Sequence, residues 1–114
     1  MEYLFFTTPE FEKSFKFLNK KYHSFKSDFE KFKTEYIKNP DLGDDLGEGF
    51  RKIRVAIKSK NKGKRGGARI IVYDLCVKIE DKIAVLIEIY DKSEITVLQE
   101  DRYKMILKKF LDSL

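Results

Sequence analysis

The segment Ile83-Ala84-Val85-Leu86-Ile87-Glu88-Ile89-Tyr90 is apolar almost throughout. A run of this kind, without alternation, is the pattern of a strand buried on both faces at the middle of a sheet, so other parts of the chain must supply its neighbours. Candidates lie just upstream. Ile53, Val55 and Ile57 alternate with Lys52, Arg54 and Lys58, which describes a strand with one dry face and one wet face. Arg69, Ile71, Tyr73 and Leu75 share one face of a further strand, which continues through Leu75-Cys76-Val77-Lys78-Ile79 to a polar turn at Glu80-Asp81-Lys82. Consecutive strands joined by short turns pair antiparallel.

The N-terminal half reads as one strand and two helices. Tyr3 to Thr7 is short, aromatic and β-favouring, and it stops at Thr8-Pro9, where Thr8 caps a helix that Pro9 begins. Phe11, Phe15, Leu18, Tyr22 and Phe25 recur at helical spacing opposite Glu12, Lys13, Lys16 and Lys20, a stripe that belongs in a core. Ser27-Asp28-Phe29-Glu30 has the form of a capping box for a second helix, whose stripe Phe29, Phe32, Tyr36 and Ile37 ends at Asn39-Pro40. The acidic, glycine-rich stretch from Asp41 to Gly49 reads as a solvated connector; an alternative is that its carboxylates shield the basic segment after it when no ligand is present. Its spacing lacks the alternating ligands and closing glutamate of a calcium loop. Thr96-Val97-Leu98-Gln99 looks like another capping box, and Tyr103, Ile106, Leu107, Phe110, Leu111 and Leu114 mark one face of a terminal helix. The expected order is therefore β-α-α-β-β-β-α, an α+β sandwich with helices packed on one face of an antiparallel sheet.

At 114 residues the chain fits a single domain, 1–114, able to build a core without metal or disulfide staples. One cysteine, Cys76, excludes an intramolecular disulfide framework, and its place in an apolar run suggests a packed, reduced thiol. The start has no basic n-region and no segment approaches a membrane span, so a soluble, unprocessed, cytoplasmic protein is expected.

Charge is concentrated rather than large. The formal net charge is +5, yet no acidic residue occurs between Glu48 and Asp74. Within that interval Lys58, Lys60, Lys62, Lys64 and Arg65 crowd a turn opened by Gly63, Gly66 and Gly67. Such crowding costs repulsion energy unless a polyanion or an acidic partner relieves it, and the clustering points to a phosphate-rich partner.

Three blocks in order carry a resemblance: Gly49-Phe50-Arg51-Lys52-Ile53-Arg54-Val55-Ala56, Gly63-Lys64-Arg65-Gly66-Gly67-Ala68-Arg69-Ile70-Ile71-Val72-Tyr73, and Tyr90-Asp91-Lys92-Ser93-Glu94. With Asn39-Pro40-Asp41-Leu42-Gly43 before them, they resemble the RelE/ParE superfamily of bacterial toxin–antitoxin toxins, and within it the HigB-like group. The resemblance implies a RelE-like microbial RNase fold, and a ribosome-dependent mRNA endonuclease held inactive by a cognate, HigA-like antitoxin. It implies chemistry without metal or cofactor, in which a ribose 2′-hydroxyl attacks the adjacent phosphate. After the last strand the chain departs from the better-known RelE pattern. Lys92 is followed by Ser93 and Glu94 where many relatives carry an arginine, and Gln99 lies near a later tyrosine or histidine position.

The residues present suit that chemistry in part. Arg54 and Arg69 carry fixed guanidinium forks that grip phosphate oxygens as charge develops. Lys64, Arg65 and Lys92 hold flanking phosphates or transfer a proton, and Tyr90 or Tyr73 stacks on a base or donates a hydrogen bond. Arg51, Lys52, Lys58, Lys60 and Lys62 complete the RNA-binding set, the loop lysines acting as mobile electrostatic contacts. A single histidine, His23, excludes histidine-pair ribonuclease chemistry, and nothing brings it to Cys76. Two alternatives use the same patch: a non-catalytic RNA- or ribosome-binding module, and a ParE-like inhibitor of DNA gyrase.

Overall fold

The computed structural model describes residues 3–61, 63–78, 81–95 and 97–114. Strand β1 (Tyr3–Thr7) leads into helices α1 (Pro9–Lys21) and α2 (Phe25–Lys38), followed by strands β2 (Asp44–Gly47), β3 (Phe50–Val55), β4 (Ala68–Lys78) and β5 (Asp81–Asp91) and helix α3 (Glu100–Asp112). Single 3-10 turns at Lys58–Lys60 and Lys64–Gly66 lie between β3 and β4. The class is α+β, with a five-stranded sheet in the order β1-β5-β4-β3-β2. Among the described residues no helix is long and apolar enough to cross a membrane.

The Thr8-Pro9 start forms as the sequence predicts. The Thr8 hydroxyl accepts from the Phe11 amide at 3.0 Å and donates to the Ile87 carbonyl at 2.6 Å, so one buried side chain caps α1 and ties it to β5. The aromatic stripe is core, with Phe15 at ring-centroid distances of 5.1 Å from Phe25 and 5.0 Å from Phe29. His23 is exposed in the turn between the helices.

Five expectations are corrected. First, α2 begins at Phe25 and not at Ser27, so the capping-box residues lie inside the helix. The earlier start places Phe25, wholly buried, against Phe15, and Ser24 Oγ turns to Asp28 instead of capping the backbone. Second, the acidic connector contains a strand. β2 lies antiparallel to β3 with Asp44 opposite Lys52 and Asp45 opposite Arg51. Arg51, 3.9 Å from the Asp45 carboxylate and bonded to the carbonyls of Asp41, Leu42 and Gly43, holds a segment that local propensity would leave as loop. Third, the sheet is mixed, because β1 runs parallel to β5. No hairpin joins those strands, so no turn dictates their direction. Fourth, Asp81 and Lys82 belong to β5 and not to a turn. Fifth, the helices do not share one face. α1 and α2 cover Ile53, Val55, Ile70, Val72, Leu86 and Ile89, whereas Tyr103, Ile106 and Leu107 of α3 cover Phe50, Ile71, Val85 and Ile87 on the other side. The unbroken apolar run of β5 requires this cover on both faces.

The β4–β5 register contains a bulge. Ile71 stands opposite Glu88 and Val72 opposite Leu86, so Ile87 is an extra residue on β5. Beyond it the alternation is reversed: Leu86 and Ile89 both face α1 and α2, and Ile87 and Tyr90 both face the α3 side. The packing expected of Cys76, the RNA contact at Lys62, the strand position of Ile79, the turn position of Glu80 and the capping role of Thr96 fall outside the described residues or side chains.

Replacing Thr8 with valine keeps its shape but removes the cap and leaves the Ile87 carbonyl without its donor. A loss of about 2 kcal/mol in urea unfolding is expected; an unchanged midpoint would show that the bond to β5 carries no stability.

Candidate functional site

The antiparallel registers place Arg54 of β3 opposite Arg69 of β4, and Arg69 opposite Tyr90 of β5. One row across the sheet thus brings together three of the residues picked from sequence. The bulge at Ile87 is responsible for the third, since without it Tyr90 would point to the opposite face. Tyr73 stands on the same face, but nearer α3: it is half-buried, its ring 5.0 Å from that of Phe50 and packed against the core. Tyr90 is itself buried, and among the described residues no hydrogen bond to its hydroxyl meets ordinary geometry. Burial raises its pKa, with the Leu98 backbone and the Arg69 charge acting the other way, so the phenol stays protonated.

The cations divide into two groups. Arg69 is 4% exposed, and its guanidinium donates to the carbonyls of Lys64 at 3.0 Å, Ala68 at 3.2 Å and Arg65 at 3.1 Å. Its fork holds the 3-10 turn Lys64–Gly66 from beneath, and burial together with the neighbouring Arg54 charge lowers its pKa from the ordinary value. Gly67 closes this turn against β3, where a Cβ would stand 2.0 Å from the Val55 carbonyl oxygen, so no larger residue fits without parting the strands. Arg51 is equally committed: it donates to the carbonyls of Asp41 at 2.7 Å, Leu42 at 3.1 Å and Gly43 at 3.3 Å, fastening the acidic connector to β3.

Lys60 is the third committed cation. Its Nζ lies 2.7 Å from Oδ1 of Asp91, a buried carboxylate at the end of β5, and 5.5 Å from the centre of the Tyr22 ring. Asp91 also accepts from the Tyr22 hydroxyl at 2.5 Å and from the Ser93 amide and hydroxyl at 2.9 and 2.7 Å. Lys60 is thus an anchor for the first 3-10 turn, Lys58–Lys60, and not the mobile contact expected of it. Burial works to raise the Asp91 pKa, but the hydrogen bonds from Lys60, Tyr22 and Ser93 outweigh it and hold the carboxyl well below the usual range. Asp91, Tyr22 and Ser93 are residues that sequence reasoning missed. The available signal was a lone acid at the end of an apolar strand, which needs a cation once buried.

The second group faces solvent. Arg54, Lys58, Arg65 and Lys92 are exposed, and among the described residues their side chains have no hydrogen bond or ion pair; Lys52 is half-buried and likewise unpaired. Lys64 makes an exposed 3.3 Å pair with Glu35. The Lys92 amide donates to the Gly67 carbonyl at 3.1 Å, which fixes the end of β5 beside the basic turn. Among the described residues no group of three or more His, Cys, Asp or Glu side chains is arranged to hold a metal ion. Fold and site define a small α+β domain that presents a fastened, cation-rich turn at one end of its sheet, suited to gripping phosphate oxygens. No family model matches the chain.

Because the folded pKa of Asp91 is depressed, its contribution to stability is complete above the unfolded value of about 3.9 and declines as pH falls through the folded one. Asp91→Asn leaves Lys60 without its buried counter-charge and should cost about 3 kcal/mol at pH 7. The gap between wild type and variant should narrow steadily below about pH 4 in unfolding experiments; a gap independent of pH would show that the carboxylate charge is not what the variant removes.

Proposed function

We propose that the chain is a RelE-like toxin of a type II toxin–antitoxin pair, a ribosome-dependent endoribonuclease that stops translation by cutting mRNA, with a HigA-like protein as its inhibitor. The observation that carries this reading is the set of exposed cations Arg54, Arg65 and Lys92, unpaired among the described residues, around the buried Arg69. The element order, apart from the added β2, supports it as well.

In the reaction, the 2′-oxygen attacks the adjacent phosphorus and the bond from phosphorus to the 5′-oxygen breaks. The 2′-hydroxyl gives up its proton, the 5′-oxygen gains one, and a cyclic phosphate remains. Arg54 and Arg65 stabilise the charge that gathers on the non-bridging oxygens. Lys92, at the mouth of β5, is the candidate for handling the leaving oxygen. Arg69 acts from below, holding the turn that carries Arg65 and adding its charge to the site. An acidic segment of the inhibitor laid over these cations would neutralise the same patch.

A second reading, a non-catalytic RNA- or ribosome-binding module, is favoured by the buried Tyr90 hydroxyl and by the commitment of the Arg69 N–H groups to carbonyls. Both features preserve phosphate binding while removing direct catalytic contacts.

Primer extension on a defined mRNA, with and without ribosomes, separates the two. Cuts are expected only with ribosomes, weakened about a hundredfold by Arg54→Ala, as for the loss of one transition-state donor, and abolished by Arg69→Ala. Wild-type protein that binds ribosomes without cutting would replace the enzyme with the binding module.

A further inference from the structure

β2 accompanies β3 only as far as Lys52, so beyond that residue the outer edge of β3 has no strand beside it among the described residues. A groove of about 480 Å³ separates this edge from α2. Its walls carry Asp28, Lys31 and Glu35 of the helix and Arg54, Lys58 and Lys64 of β3 and the turns. The acids are occupied. Asp28 accepts from the Ser24 hydroxyl at 2.7 Å and the Lys58 amide at 3.1 Å, and Glu35 pairs with Lys64 at 3.3 Å. The side chains of Lys31, Arg54 and Lys58 have no partner among the described residues, so the groove keeps an excess of positive charge that its own acids do not relieve. Arg54 belongs to both the groove and the row across the sheet, which makes the two continuous.

We propose that this groove is a second phosphate-binding subsite, in which Lys31 and Lys58 hold the backbone of the RNA strand as it leaves the Arg54 cluster. The proposal rests on the RNA-cleaving reading above and extends it to a part of the molecule that the reaction does not use. A nucleic acid backbone suits the groove better than an acidic peptide. The large apolar residues behind it, Phe32, Val55 and Ile57, are buried in the core, so the groove offers a partner exposed cations rather than a pocket for large apolar side chains. A single strand needs only the cations, whose contribution comes from counterion release.

The test is the salt dependence of binding of a labelled, unstructured RNA oligonucleotide carrying 2′-O-methyl groups, measured by fluorescence anisotropy. Lys31→Ala, Lys58→Ala and Arg54→Ala are compared with Lys16→Ala, which removes an exposed lysine of α1 outside the groove. Lys31→Ala and Lys58→Ala should each weaken binding on the order of threefold to tenfold near 0.1 M salt and lower the slope of log K against log salt by about 1, with Lys16→Ala close to wild type. If Arg54→Ala weakens binding but Lys31→Ala matches Lys16→Ala, the subsite is refuted while the RNA reading stands. Wild-type protein without salt-dependent RNA affinity would overturn the subsite, and the same protein failing to cut mRNA on ribosomes would overturn the RNA-cleaving reading as well. An acidic peptide whose affinity falls in Lys31→Ala, with RNA affinity unaltered, would reassign the groove to a protein partner.

Discussion

The buried carboxylate of Asp91 is the contact on which the geometry of the basic turn depends. It terminates β5, and the bulge at Ile87 turns it toward α1, where Tyr22, Ser93 and Lys60 converge on it. A carboxylate taken out of water in this way is costly unless its partners are complete, and here they are. Lys60 is therefore tied to the end of β5. The first 3-10 turn stands where the lysine reaches the end of β5, and the second stands where Arg69 can hold its carbonyls.

This arrangement solves a problem that the composition creates. A turn crowded with lysine and arginine repels itself and would spread into solvent. The chain turns two of its cations inward, giving Lys60 a carboxylate and Arg69 a set of carbonyls, and uses them to hold the backbone. Arg51 does the same for the acidic connector, whose carboxylates lie alongside β3 as a short strand. Exposed cations such as Arg54, Arg65 and Lys92 then project from a backbone that is already fixed, which lowers the entropy cost of binding a phosphate.

The sequence reveals features set by local pattern. The Thr8-Pro9 cap, the apolar run of β5 and the alternation through Ile53 and Val55 follow from propensity and period and form. β3 nevertheless stops at Val55, so that Ile57 joins the core from outside the strand, and the α1 stripe ends at Leu18, with Phe25 opening α2. That Arg54 and Arg69 share one face is suggested by the sequence, but only the observed register, with Arg54 opposite Arg69, fixes it, because a slip of one residue would turn Arg69 to the other side. The bulge is not legible: an unbroken apolar run has no alternation to show where parity reverses, so Tyr90 and Asp91 cannot be assigned to faces. β2 is hidden because Asp44 and Asp45 favour loops by themselves and become strand only opposite Lys52 and Arg51. The roles of Lys60 and Arg51 were hidden for a related reason. A cation's use is decided by its partner, and the partner of Lys60 stands far along the chain at the end of another strand.

The division between structural and exposed cations can be read directly from the guanidinium protons by NMR, first in the free protein and then with a 2′-O-methyl RNA oligonucleotide. Arg51 and Arg69 should give protected signals without RNA, whereas those of Arg54 and Arg65 should exchange rapidly until RNA is added and then sharpen and shift. Equal exchange at Arg69 and Arg54 in the free protein, or RNA-induced shifts confined to surfaces away from Arg54 and Arg65, would contradict the account.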